Sequence, residues 1–520
     1  MSLRVWQRPR LLQDWHEEQE DRKVAWTELF YDLVFVSVIG RLGDEYKTVQ
    51  DGSSLTSPME MGTYVVLFLG IYYVWVQSLL FATRFHVEDL FSNVYHALLM
   101  ACVVVIGVNM DDPLGSKGMS IGIAFAAAKL LFCLAYLRVW IYVKRIRVFV
   151  TVTVALLLVE GGLWLGSAFI TSPTAKLCVQ AGSSLVSFCH PFVFSCLPRK
   201  ARVPLHITHF SERIGCVIII TMGESAFGVT QSIVGATNAL GDMAFYFSSV
   251  LFLLTLLIFK IFYFDADPAG EENHALRTSL ARGITWSNIH PLLAMAVSLF
   301  GTGVSLIVHY SPSTNMTNTS YWQSAEGMAV ESAQGIVFGC AAAIYICLAT
   351  IQLMHNHTEI SEDYCLLPKR GEVLRLGRRK YGGAAIRIIA ACTCIPFAVS
   401  PFTHVLPYLS AIILGGIAII ALAADYLLVF IVERKARHYL PPKFFKRGRA
   451  NSDRREVNTS TEAERVLEGQ QDEDELGGLL NSGGMEVDEE LLQAEQARLR
   501  RARVLSRVQG SAGEGTPLLR

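Results

Sequence analysis

The chain has 520 residues, of which 52% are hydrophobic and only 18% charged, and its mean hydropathy is +0.37. That composition excludes an ordinary soluble domain and points to an integral membrane protein. The formal net charge of -1 says little by itself, because acids and bases are spread unevenly along the chain, and no nucleic-acid partner is expected.

The first 25 residues are polar and carry Arg4, Arg8, Arg10, Arg22 and Lys23, with no apolar core of the kind a cleavable signal peptide needs. Residues 1–26 read as a cytosolic N-terminal segment, and the first span is expected to act as its own insertion signal. Apolar segments of about 20 residues, enough to cross roughly 30 Å of hydrocarbon, then follow between polar breaks. The sequence predicts twelve, at 27–46, 60–83, 91–109, 119–142, 147–170, 174–197, 214–235, 243–264, 286–309, 331–354, 383–402 and 405–432. The fold class is therefore all-α integral membrane.

The first span, from Trp26 to Gly43, is unusual because Glu28 and Asp32 stand near its start. Four positions apart on a helix they share a face, about 6 Å from each other. Two such carboxylates near hydrocarbon need a proton or a cation from elsewhere in the chain. Further ionisable residues lie inside predicted spans: Lys129, Glu160, Glu224, Lys260, Arg387 and Asp425, with Arg138 at the margin. They support two readings, structural pairs such as Asp32 with Lys129 or Arg138, or acids that exchange protons or cations as the protein changes state. A second dense stretch, Pro204 to Gly215, places His209 and Arg213 on one helical face beside Glu212, with Glu224 further along. Cys189, His190 and Cys196 lack the spacing of a metal site, so no metal and no cofactor is expected. The eleven cysteines fall mostly in apolar segments, against a disulfide framework.

Short loops carrying Lys144, Arg145 and Arg147, then Arg199, Lys200 and Arg202, then a basic run from Lys369 to Lys380, belong in the cytosol, and both termini with them. The glycosylation sequons at Asn315 and Asn318 then fall outside. Residues 433–520 read as a disordered cytosolic tail, in which Glu514, Leu518 and Leu519 match an acidic dileucine sorting signal, as do Glu475, Leu479 and Leu480. Such signals engage clathrin adaptors, which points to an endolysosomal membrane, with the plasma membrane as the other destination.

Polar markers recur in order in the two halves. Glu28 heads the first span and Glu212 the seventh; Arg84-Phe85-His86 ends the second and Tyr263-Phe264-Asp265 the eighth; His96 opens the third and His290 the ninth. The pattern predicts two six-helix repeats, at 27–197 and 214–432, joined by a basic linker at 198–213. Repeats of even helix number insert the same way up, so they would be parallel. Phosphate-binding, nucleophile-elbow and zinc motifs are missing, and no enzymatic activity is expected.

The segments WTELFYDLVFV from Trp26, ATRFHVED from Ala82 and HFSERIGCVIIITMGES from His209 resemble signature segments of the low-temperature-requirement A family of bacterial-type membrane proteins. The resemblance covers roughly residues 24–432 and implies a multi-spanning membrane protein of unsettled activity. The leading expectation is a secondary transporter of a small solute, coupled to protons or another cation. Its pathway would draw on Glu28, Asp32, Lys129, His209, Glu212, Arg213, Glu224 and His290. A cation channel lined by the acids is the second reading, and a non-transporting scaffold with structural ion pairs the third.

Overall fold

The computed structural model describes residues 6–12, 26–46, 57–87, 89–235, 243–266, 273–312, 319–355, 370–399 and 406–439. The chain divides into a body, Met1–Ala436, and a second unit, Arg437–Arg520, which lies almost wholly outside the described residues.

The described residues form twelve long helices: α1 (Trp26–Glu45), α2 (Pro58–Ala82), α3 (Leu90–Val108), α4 (Gly118–Tyr142), α5 (Arg147–Ala168), α6 (Pro173–Cys196), α7 (Ile207–Gly235), α8 (Met243–Asp265), α9 (Leu280–His309), α10 (Ala325–Met354), α11 (Arg370–Val399) and α12 (Pro407–Tyr439). Each coincides with one predicted apolar segment. Eleven are long and apolar enough to cross a membrane; α1 falls short of that test, its run being broken by Glu28, Asp32, Arg41, Asp44 and Glu45. Apart from the helices, a two-residue antiparallel ladder pairs Arg10 with His86 and Leu11 with Phe85.

The surface is apolar where a soluble protein would be charged. On α4, Leu130, Leu134, Leu137 and Ile141 form an exposed stripe, while Phe125, Lys129, Phe132 and Tyr136 on the other face are buried. An outward stripe of leucines at helical spacing is stable only against lipid. Helix α9 is buried along nearly its whole length and forms the centre of the bundle.

Neighbours repeat between the halves of the chain. In the first, α1 packs on α2 and α3, α3 on α4, and α4 on both α2 and α5; in the second, α7 packs on α8 and α9, α9 on α10, and α10 on both α8 and α11. At the last helix, α6 packs on α2 and α5, while α12 meets α11 through Asp425 and Arg387 and α8 through Gly415 and Leu251. Between the halves, α1 lies against α7, and α9 touches α1, α2 and α6.

Candidate functional site

The two carboxylates of α1 are answered by Arg213 of α7. Its Nη1 stands 2.6 Å from Glu28 Oε2 and its Nη2 2.6 Å from Asp32 Oδ1, and Nη2 also donates to the Glu28 carbonyl at 3.3 Å. Trp75 of α2 donates its indole N–H to Asp32 Oδ1 at 2.7 Å. The four-residue spacing of Glu28 and Asp32 matches the fork of one guanidinium, which is why a single arginine serves both. Two carboxylates and one guanidinium leave a net negative charge. His209 Nε2 lies 3.2 Å from Glu28 Oε2, out of line for a hydrogen bond. Asp32 Oδ2 is buried without a hydrogen-bond partner.

Further along the same seam, α1 and α7 touch again. A Cβ on Gly40 would stand 2.1 Å from Glu224 Oε1, so the Glu224 side chain occupies the space that glycine leaves open. Contacts that advance together along both helices show that α1 and α7 run parallel.

A second buried group joins four helices of the first half. Lys129 Nζ of α4 lies 2.5 Å from Glu160 Oε2 of α5 and donates to Gln77 Oε1 of α2 at 2.9 Å, while Gln77 Nε2 donates to Glu160 Oε2 at 3.0 Å. His190 Nε2 of α6 stands 2.7 Å from Glu160 Oε1. Glu160 is fully buried and Lys129 almost so.

This group forms one wall of a cavity of about 860 Å³ between α2 and α6 of the first half and α7 and α9 of the second. Gln77, Ser187 and His190 line it at depth, with Tyr72, Tyr73 and Phe210 beside them. Its other end reaches the exposed residues Arg277 and Leu280, on the side of the bundle that carries the basic loops. Two helices bordering it contain proline, Pro191 in α6 and Pro291 in α9. Proline has no N–H, so Ser187 and Ser287, both on the cavity wall, lack their usual helical donor four residues on.

Two further polar groups complete the picture. Arg387 of α11 donates to Gln352 of α10 and lies 3.7 Å from Asp425 Oδ2 of α12. Arg138, near the end of α4, pairs with Asp89, which caps α3 by accepting from Ser92 N at 2.9 Å and also accepts from Gln7 N at 2.9 Å. Burial pulls the Asp89 carboxyl upward, but hydrogen bonds from Arg138, Gln7 and Ser92 outweigh it and hold the group below the usual carboxylate range. Trp6 lies over the Arg138 guanidinium at 4.0 Å, so the N-terminal segment is fastened to the loop before α3.

Of the residues singled out from sequence, Glu28, Asp32, His209 and Arg213 meet in one cluster, and Glu224 lies on the same seam beside Gly40. Lys129 belongs to the other group, so the pairing of Asp32 with Lys129 or Arg138 is replaced by Arg213, Glu160 and Asp89 as the respective partners. Glu212 is exposed, as is Lys260, whose ammonium lies 5.6 Å from the Phe264 ring. His290 is buried beside Tyr263 Oη at 3.2 Å and the Trp286 carbonyl at 2.6 Å, away from the acids. Asn315, Asn318, Glu514, Leu518 and Leu519 lie outside the described residues.

His190, Gln77 and Arg84 were not among the expected pathway residues. One signal was present: Lys176, Gln180, Ser183, Ser184, Ser187 and His190 follow helical spacing on α6, and all are buried. A polar stripe on an otherwise apolar span marks the face turned to the bundle interior.

A multi-span helical bundle with a lipid-facing surface, internal ion pairs and a cavity between its halves defines an integral membrane protein. Within that class, the family model of the bacterial low temperature requirement A protein matches residues 23–426, and the chain belongs to this family. No curated protein and no solved structure matches the chain.

Proposed function

We propose that the protein is a secondary transporter of a small solute, coupled to protons or another cation. The observation that carries this reading is the cavity between the two halves, whose inner wall includes His190 and Gln77 of the Lys129–Glu160 group. A solute site at the junction of two homologous halves, with a titratable group in its wall, is the arrangement alternating access requires. The duplication itself is supported by the repeated neighbour pattern and by close approaches at matching glycines.

On this reading the coupling group is Glu160 with Lys129 and His190, while Glu28, Asp32 and Arg213 hold α1 to α7. Lys129 and Glu160 cancel each other, so a proton or cation taken up by the group adds a charge beside the cavity. Gln77 and Tyr73 of α2 and Cys133 of α4 are the other polar groups around the carboxylate. The channel reading gains little support, because no acid is among the described residues lining the cavity.

The positive-inside rule puts both termini and the cavity mouth in the cytosol. The tail would carry adaptor signals directing the protein to an endolysosomal or plasma membrane. Purified protein in liposomes with an imposed pH gradient tests the central claim. A carrier gives saturable, gradient-dependent solute flux that His190→Gln uncouples; single-channel steps would establish the channel reading, and neither signal the scaffold.

A further inference from the structure

The cavity has a sign. Its charged lining consists of Arg84, Arg202 and Arg277, with His190 at depth, and no aspartate or glutamate is among the described residues that line it. Glu160 stands behind Gln77 and His190 and is already held by Lys129. A cleft walled by one sign of charge concentrates the opposite sign.

Arg84 is the informative side chain. It follows the last turn of α2, and its guanidinium lies over the Phe149 ring at 4.8 Å and near Phe194 at 5.9 Å. Its Nε is buried without a hydrogen-bond partner, the guanidinium is hydrogen-bonded to the Tyr136 hydroxyl, and none of the described carboxylates forms an ion pair with it. Arg202 directs Nε to the Leu197 carbonyl at 2.9 Å and Nη2 to the Ser195 carbonyl at 2.6 Å, which orients the side chain. A guanidinium stacked on aromatic rings and bonded to one hydroxyl keeps its charge and further N–H donors for a carboxylate or phosphate oxygen. The rest of the wall is aromatic and aliphatic, from Tyr72, Tyr73, Phe149, Phe194, Phe210 and Ile214.

We infer that the cavity binds an organic anion, a carboxylate or phosphate group on an apolar body, with Arg84 holding the oxyanion. This rests on the transporter reading for its biological role, but binding itself does not require transport. An oxyanion on an apolar body is found both in soluble organic acids and in anionic lipids, and the test separates them.

Full-length protein in phosphatidylcholine nanodiscs is titrated with benzoate, octanoate and phenylphosphate. The same titration is run with benzamide, octanamide and benzylamine as neutral and cationic counterparts. At least one anion should raise the unfolding temperature saturably while its neutral and cationic counterparts do not, and Arg84→Gln should weaken that anion by about tenfold or more, as expected for a lost charged hydrogen bond. Arg277→Gln, an exposed substitution that leaves the fold intact, should weaken it to a lesser degree. If phosphatidylserine added to the nanodiscs competes with the soluble anion, a lipid is the natural source; if it does not, a soluble acid is. Equal stabilisation by benzylamine, unchanged affinity in both arginine variants, or no stabilisation by any of the three anions would overturn the inference. Failure of liposome flux with intact anion binding would instead sink only the transporter reading, and gradient-driven flux of a neutral or cationic solute without anion binding would sink only this one.

Discussion

Gly107 and Gly301 each let two helices come close together: Gly107 brings α3 up against Val38 of α1, and Gly301 brings α9 up against Ser225 of α7. A Cβ on Gly107 would stand 2.9 Å from Val38 Cγ2, and one on Gly301 would stand 2.4 Å from both Cβ and Oγ of Ser225. The step from Gly107 to Gly301 equals the step from His96 to His290, so the packing and the histidines keep one register.

The first prediction follows from these distances. Gly301→Ala should lower stability by about 1–3 kcal/mol, because the obstacle is the body of Ser225 and not the end of a flexible side chain. Gly162→Ala on α5, with nothing within 4 Å of the added carbon, should instead be neutral or raise stability by about 0.5–1 kcal/mol through helix propensity. Thermal unfolding of both variants in the same detergent measures the contrast; equal effects would contradict it.

Removing Arg213 strands two buried carboxylates. Arg213→Gln should cost about 3–5 kcal/mol, the usual penalty for breaking a buried ion pair from one side. Arg213→Met combined with Glu28→Gln and Asp32→Asn should recover most of that loss, since no charge is then left unanswered. The single and triple variants are compared by unfolding temperature and by recovery as monodisperse protein. A triple variant no better than the single one would mean that the cluster does more than balance charge.

Acidification should loosen the turn before α9. His274, the N-cap of the short helix Ala275–Thr278, is buried against Trp286 and His355, and burial pushes its pKa down to about 4. In the unfolded chain the same imidazole titrates near its ordinary value of about 6.5. The unfolded state therefore binds the proton first, so the contribution is complete above about pH 6.5 and is lost as pH falls toward 4. Unfolding temperatures from pH 7 to pH 5 should fall less steeply in His274→Gln than in the parent. Parallel slopes would remove His274 from the account.

Orientation can be read chemically. If the basic loops face the cytosol, Asn315 and Asn318 lie outside, and expression in a glycosylating host should give a band that endoglycosidase treatment shifts and that Asn315→Gln with Asn318→Gln abolishes. A cytosolic location of that loop leaves the band unchanged by enzyme or mutation.

Much of the architecture was legible because lipid demands a long apolar run for every span. Even α1 was recognisable, through the residues around its charges. The partner of Glu28 and Asp32 was legible only in part: Arg213 stood out in the dense stretch heading α7, but Lys129 and Arg138 were the expected cations, and the sequence does not say which helix lies against α1. What sequence could not supply was distance between helices: nothing in the spacing of Lys129 and Glu160 says that α4 and α5 bring them within 2.5 Å. Glu212 illustrates the opposite failure. Its position beside Arg213 suggested a shared role, but neighbours in a helix sequence point about 100° apart, and it faces outward.

The seam between α1 and α7 is held at two heights, by Arg213 between Glu28 and Asp32 and, several turns away, by Glu224 against Gly40. Two parallel rods fastened at two points cannot slide along one another without releasing both fastenings. Any movement of one half against the other that keeps these contacts is confined to turning about that pair, like a book about its spine. On the transporter reading, that turning would act on the wall where α2 and α6 face α9.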